Sequence, residues 1–373
     1  MPVRSNVASS SSPDPSLIAR RLFVAATLAL GALFVGVARI DAFADVPLQA
    51  TSSTPSAQPV AVARVGLTVV DLDRSVEFFT GVLDFERVDE REVAGDAVER
   101  LDGVFGARKR VVTLRLGREL VELTQYIAPE GRPIPVDSRS NDAWFQHVAI
   151  IASDMDRAYE RLRSFHVRHA STGPQTIPSW NANAAGIRAF YFKDPDGHVL
   201  EILAFPDDKG QSRWHAKDRL FLGIDHTAIV VADTERSLRF YRDALGLVVA
   251  GTSENYGTEQ EHLNNVEGAH LRITSLRVPG DPERGGPAIE LLEYLAPRDG
   301  RSFPRDTRSN DVWHWHVVLE VRDVDSALGA AATAGGGAAS RGAVEADGVR
   351  AALARDPDGH AIRVVGANSR GVR

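Results

Sequence analysis

The chain has 373 residues, 43% hydrophobic and 25% charged, with a net charge of −7 and no cysteine. Such a chain is globular and long enough for two domains, and its acidic balance without any basic stripe excludes a dedicated nucleic-acid binder. The lack of cysteine excludes disulfides, thiolate metal sites and cysteine nucleophiles, so any metal has to be held by His, Asp and Glu.

Residues 1–44 are expected to be an export signal. Arg20 and Arg21 precede an apolar run from Leu22 to Ala38, and Asp41, Ala42, Phe43 and Ala44 then supply an Ala-x-Ala cleavage site. The pair Arg20-Arg21 followed by Leu22, Phe23 and Val24 resembles a twin-arginine signal. The expectation is a periplasmic or secreted protein with no membrane attachment after cleavage. The alternative is an N-terminal membrane anchor, because an apolar run of this length can just span a bilayer. Residues 45–60 are rich in Ser, Thr, Pro and Ala and predict a disordered linker.

From there the pattern is regular. Arg64 to Val70 alternates as a strand does, and Leu72 to Leu83 has helical spacing with Asp71 or Asp73 placed to cap it. Strand-like runs follow at Phe85–Val93, Arg110–Leu116 and Glu119–Ile127. His147–Ile151 starts the pattern again, with a helix over Asp154–Phe165 and strands at Ile187–Phe192 and His198–Phe205. The polar stretch 207–220 reads as a linker, after which the whole unit recurs. Ser75 to Phe79 (SVEFF) returns as Ser237 to Tyr241 (SLRFY), and the segment from Asp137 to Trp144 returns from Asp306 to Trp313. The chain is therefore α+β, with tandem domains at 61–206 and 221–366 and a tail at 367–373. Each domain holds two βαβββ modules, numbered one to four along the chain.

The repeated βαβββ unit, the strand-opening His, the Asp before a helix with Phe-Phe or Phe-Tyr, and the Asp-Pro-Asp-Gly-His turn before Glu201 carry a resemblance. Together they resemble the vicinal oxygen chelate superfamily, which includes glyoxalase I, extradiol dioxygenases and the fosfomycin and bleomycin resistance proteins. The resemblance implies curled mixed sheets around a central cavity, with each module able to offer one metal ligand from its first strand and one from its last.

Carried onto this sequence, those positions are Arg64 and Glu122 in module one, His147 and Glu201 in module two, His226 and Glu290 in module three, and His316 and Arg363 in module four. Arginine offers only donors and cannot ligate a cation. If neighbouring modules pair one with two and three with four, both sites are incomplete. If two pairs with three and one with four, His147, Glu201, His226 and Glu290 form one complete set. Arg64, Glu122, His316 and Arg363 then form one degenerate set. The second arrangement is favoured because it gathers both arginines beside Glu122. His314, on the same strand face as His316, is a possible substitute ligand there. His198 and His360, just after the turn, are expected to cap it.

The implied cofactor is one divalent metal ion, Fe, Mn, Ni, Co or Zn, acting as a Lewis acid. By resemblance Glu201 or Glu290 is the catalytic base of a lyase or isomerase, and an extradiol-type dioxygenase is the variant reaction. The partner is a small oxygen-chelating molecule, and the protein is a monomer or homodimer. Export argues against a glutathione-dependent lyase. The alternative class is a non-catalytic protein that sequesters a small molecule, as bleomycin resistance proteins do. Trp180 and Tyr256 are candidates to contact substrate. Arg139 and Arg308, in the repeated Ser-Arg-Ser-Asn-Asp loop or its Thr-Arg-Ser-Asn-Asp copy, are candidates for anion binding, with loop architecture as the favoured role.

Overall fold

The computed structural model describes residues 57–280, 284–346 and 348–367. The export signal, most of the 45–60 linker and nearly all of the tail lie outside these residues. Where the linker is described it is already structured: Ala57 is fully buried, and the first strand begins at Pro59. Among the described residues no helix is long and apolar enough to cross a membrane.

All four modules form. Their first strands are Pro59–Val69, Gln146–Ala152, Phe221–Val231 and Trp315–Val321. Their last strands are Glu119–Ala128, Val199–Ala204, Ala288–Ala296 and Ala361–Gly366. An aspartate caps the helix of every module. Asp71, Asp154, Asp233 and Asp323 each accept from backbone N–H groups two or three residues on, groups that have no partner inside the helix. Asp71, not Asp73, is therefore the cap of the first helix. The helix of module four, Val324–Thr333, is rich in alanine, which is the strongest helix former, and Ala327 and Ala331 are small enough to bury.

Among the described residues the strands form two nine-stranded mixed sheets, and the sheets do not follow the sequence repeat. The first strand of module three pairs antiparallel with that of module two, matching Ala228 with His147 and His226 with Ala149. The first strand of module one pairs the same way with that of module four, matching Gly66 with His316 and Arg64 with Val318. Each last strand then runs parallel beside its own first strand. This is the two-with-three and one-with-four arrangement.

The cores tie the repeats together in the other direction. Phe79, Leu83 and Leu123 of module one share a cluster with Ile150, Leu162, Phe190 and Ile202 of module two. Phe240, Tyr241 and Leu291 of module three share another with Val324, Ala331 and Val364 of module four. Each sequence repeat thus keeps a common helix-side core while lending one module to each sheet. The stretch read as a linker is packed into this arrangement. It contains a short 3-10 turn, Ser212–His215, and its Trp214 is buried.

Candidate metal centre

The register of the sheet built from modules two and three sets the site. Ala149 lies beside Glu201 and Ala228 beside Glu290. Side chains alternate across a strand, so the two histidines and two glutamates project from one face. They meet at the floor of a cavity of about 140 Å³ whose wall includes Ile177, Ala189, Tyr191, Leu263 and Leu292.

The Nε2 of His147 lies 3.1 Å from Glu201 Oε2, and the Nε2 of His226 lies 3.4 Å from the same oxygen. The two Nε2 atoms are 3.4 Å apart. His147, Glu201 and His226 are all buried and bring their donor atoms close enough to hold one metal ion. Glu290 stands to one side. Its Oε2 is 3.5 Å from His226 Nε2, and its side chain is 20% exposed where that of Glu201 is 5% exposed.

Electrostatics follow from that crowding. Burial alone would raise the Glu201 carboxyl, but His147 and His226 outweigh it and hold the group down to about 2. Burial works against the His226 imidazolium, yet Glu290, Asp225 and Glu201 around it raise its pKa well above the usual value. Burial, reinforced by Glu201, drives the Tyr191 phenol far up, so its hydroxyl stays protonated beside His147.

Two supporting residues were not singled out from the sequence. Asp225 accepts from His226 Nδ1 at 3.1 Å and is itself held by Trp214 Nε1 at 3.2 Å and Arg277 at 3.3 Å. A carboxylate on the distal nitrogen fixes which imidazole nitrogen faces a metal. The adjacency of Asp225 and His226 was a visible signal for it; nothing local announced Trp214. Tyr191 sits directly across from Glu201 on the neighbouring strand. On the other side of the site, His147 Nδ1 is buried with no hydrogen-bond partner.

In the sheet built from modules one and four, the same register positions hold different chemistry. Glu122 is 3.1 Å from Arg91 and 3.5 Å from both Arg64 and Arg363. Arg363 also reaches Asp102 at 3.1 Å. His316 and His314 are buried beside these cations, and burial first, then neighbouring arginines, pushes both far below the ordinary imidazole range. Their rings lie 5.4 Å apart.

Of the two loop arginines, Arg139 ties its loop down through its side chain, and Arg308 does so through its backbone. Arg139 pairs with Asp299 at 2.9 Å and donates to its carbonyl at 2.8 Å. The Arg308 backbone N–H donates to Asp311, and Asp311 is gripped by Arg132 from the other repeat at 2.7 Å. Asp142 and Arg301 make the mirror contact at 2.6 Å. Trp180 and Tyr256 stack on each other with ring centroids 4.2 Å apart, each about half exposed, and neither lines the cavity. The turn histidines also bridge repeats. His198 faces Asp194 and the Val312 carbonyl, both at 2.8 Å, and His360 faces Asp356 and the Ala143 carbonyl.

Comparison with known proteins agrees with this fold. The family model Glyoxalase/Bleomycin resistance protein/Dioxygenase superfamily matches residues 61–202 and 223–364. Over 152 residues the chain is 39% identical to a 2-epi-5-epi-valiolone epimerase from Actinomyces sp., a match covering 39% of this chain and 80% of that protein. It is 26% identical over 186 residues to a lactoylglutathione lyase from Arabidopsis thaliana, covering 50% of this chain and 53% of that one. The fold is similar to that of glyoxalase I from Zea mays, with a TM-score of 0.57 at 19% identity over 82% of this chain and 92% of that one. It is also similar to a putative dioxygenase from Bacillus subtilis, with a TM-score of 0.53 at 14% identity over 84% of this chain and 87% of that one.

Proposed function

Because the chain belongs to the glyoxalase/bleomycin resistance protein/dioxygenase superfamily, we propose that it is a metal-dependent enzyme that moves a proton at a carbon beside a carbonyl, as an epimerase or other isomerase does. The observation that carries this reading is the meeting of His147, Glu201 and His226 under a cavity, with a second carboxylate, Glu290, left beside them.

The donor set suits a divalent cation. Two imidazole nitrogens and a carboxylate oxygen face one another at 3.1 to 3.4 Å, which concentrates lone pairs that a cation would satisfy. When bound, the ion would supply Lewis acidity to a substrate oxygen. The protein's own groups divide the rest. Asp225 fixes the His226 ring through Nδ1. Glu201 is pinned by both histidines and suits ligation. Glu290 touches only His226 among these groups and lines the cavity, so its carboxylate is the better placed to take and return the proton. The Tyr191 hydroxyl, kept protonated by burial, can donate to a substrate oxygen. The similarity to an epimerase supports this class of reaction over lactoylglutathione chemistry.

The test is exchange of the proton beside the carbonyl. Purified protein loaded with Mn, Fe, Co, Ni or Zn is incubated with polyhydroxylated ketones in heavy water, and proton NMR follows loss of the signal. Metal-dependent exchange supports the proposal. Tight binding of a ketone without exchange under any metal sinks it and leaves sequestration.

The combination of two His and one carboxylate also matches the ligand set of oxygen-using Fe(II) enzymes. Oxygen uptake with Fe(II) and a catechol, in place of exchange, would establish that reading. Export remains part of the proposal on the strength of residues 20–44, and an N-terminus beginning at Asp45 in protein recovered from outside the cytoplasm tests it.

A further inference from the structure

We propose that the sheet built from modules one and four carries a second small-molecule site, one that binds an organic oxyanion, a carboxylate or a phosphate. The register equivalence is complete: Arg64 stands where His226 does, Glu122 where Glu290 does, His316 where His147 does and Arg363 where Glu201 does. Replacing a histidine and a carboxylate by two guanidiniums turns a cation-seeking floor into an anion-seeking one.

The count of charges at the floor is uneven. Four cations, Arg64, Arg91, Arg363 and Lys109, meet three carboxylates, Glu122, Asp102 and, on Arg91, Asp89 at 3.2 Å. Asp102 is already satisfied by Lys109, Arg363 and the Tyr126 hydroxyl. Glu122 alone faces three guanidiniums, two of them at 3.5 Å, the far limit of a hydrogen bond. The Nε of Arg64 and the Nε of Arg363 are buried with no partner. Buried donors without acceptors are costly, and an oxyanion is the group that matches a guanidinium fork.

There is room for one. Two adjoining cavities of about 140 Å³ and about 300 Å³ share Arg91, Leu101, Glu122, Ala346 and Arg363 in their walls. Val318, Val349 and Ala351 add an apolar side, which suits an anion carried on a small carbon skeleton. Carboxylates at the walls, Glu320, Glu92 and Glu345, oppose highly charged ligands and favour a single small anion.

The experiment is isothermal titration of the full chain with inorganic phosphate and, separately, malonate, at constant ionic strength. Binding of either probe is expected, together with a rise in melting temperature that grows with probe concentration. Arg64→Gln and Arg363→Gln should each weaken it about tenfold or more, the loss of one charge-assisted hydrogen bond. Arg64 is 30% exposed and holds Glu122 only at 3.5 Å, so its variant keeps the fold, which a thermal melt checks. His226→Ala, in the other sheet, should leave both titrations unchanged. No binding of either probe, binding indifferent to both arginine substitutions, or binding lost in His226→Ala would each overturn the inference.

Discussion

Gly66 and His316 face each other across the first strands of modules one and four, and the His316 imidazole fills the space into which a Cβ at position 66 would project. The equivalent pair in the other sheet is Ala228 and His147. There the alanine Cβ occupies that space, and the His147 ring turns instead towards His226 and Glu201. One methyl group thus separates a histidine laid back on its sheet from one aimed into a cavity.

Gly66→Ala should accordingly destabilise the protein by about 1–3 kcal/mol, the range for overpacking a filled interior. The backbone at Gly66 has no left-handed strain, so the cost comes from the displaced ring. Urea unfolding measures it, and an unchanged midpoint would mean that the His316 ring swings aside freely.

Asp225→Asn removes the negative partner of His226 Nδ1 while leaving an oxygen for Trp214 and Arg277. Metal affinity should fall about 10- to 100-fold, the usual effect of losing such a carboxylate. Competition against a chelator reads this directly, and equal affinity in the variant would remove Asp225 from the site.

Glu290→Gln separates binding from chemistry. The variant should still take up one metal ion while proton exchange slows by about 100-fold or more, the scale of a lost general base. A variant that loses the ion but exchanges normally when the metal is supplied in excess would make Glu290 a ligand and not the base.

The turn histidines predict a pH dependence of stability. Both ring nitrogens of His198 face acceptors. Burial opposes its charge, but Asp194 outweighs that and lifts its pKa to about 9. His360 is raised for the same reason by Asp356. A pKa raised in the folded state means stability fully present below the unfolded value of about 6.5 and lost as pH climbs through the folded value. Unfolding free energy should therefore fall between pH 6.5 and about 9, and fall less in His198→Gln. An identical slope in the variant would contradict this role.

The fold was readable because four copies of one pattern repeat with aspartate caps at fixed places, and two of them carry the same Asp-Pro-Asp-Gly turn. The superfamily resemblance, carried onto the aligned copies, put His147, Glu201, His226 and Glu290 on equivalent strand positions. Even the module pairing had a local trace, in the two arginines that would otherwise each spoil a separate site. What the sequence concealed depends on partners far along the chain. Trp214 reads as part of a polar linker until the sheet brings it to Asp225. Asp102 sits on a short helix, Asp96–Asp102, bounded by Gly95 and Gly103, that no sequence motif marks, yet it anchors Lys109 and Arg363. Arg139 reads as a loop residue, but its partner Asp299 lies in the other repeat. Trp180 and Tyr256, expected at the substrate, spend their exposed faces on each other.

Metal stoichiometry, measured by inductively coupled plasma mass spectrometry on the wild type and three variants, tests the central claim most directly. The account predicts one divalent ion per chain, abolished by His147→Ala and by His226→Ala, and retained by Glu122→Gln. Two ions per chain, or a single ion that survives His226→Ala and disappears with Glu122→Gln, would contradict it.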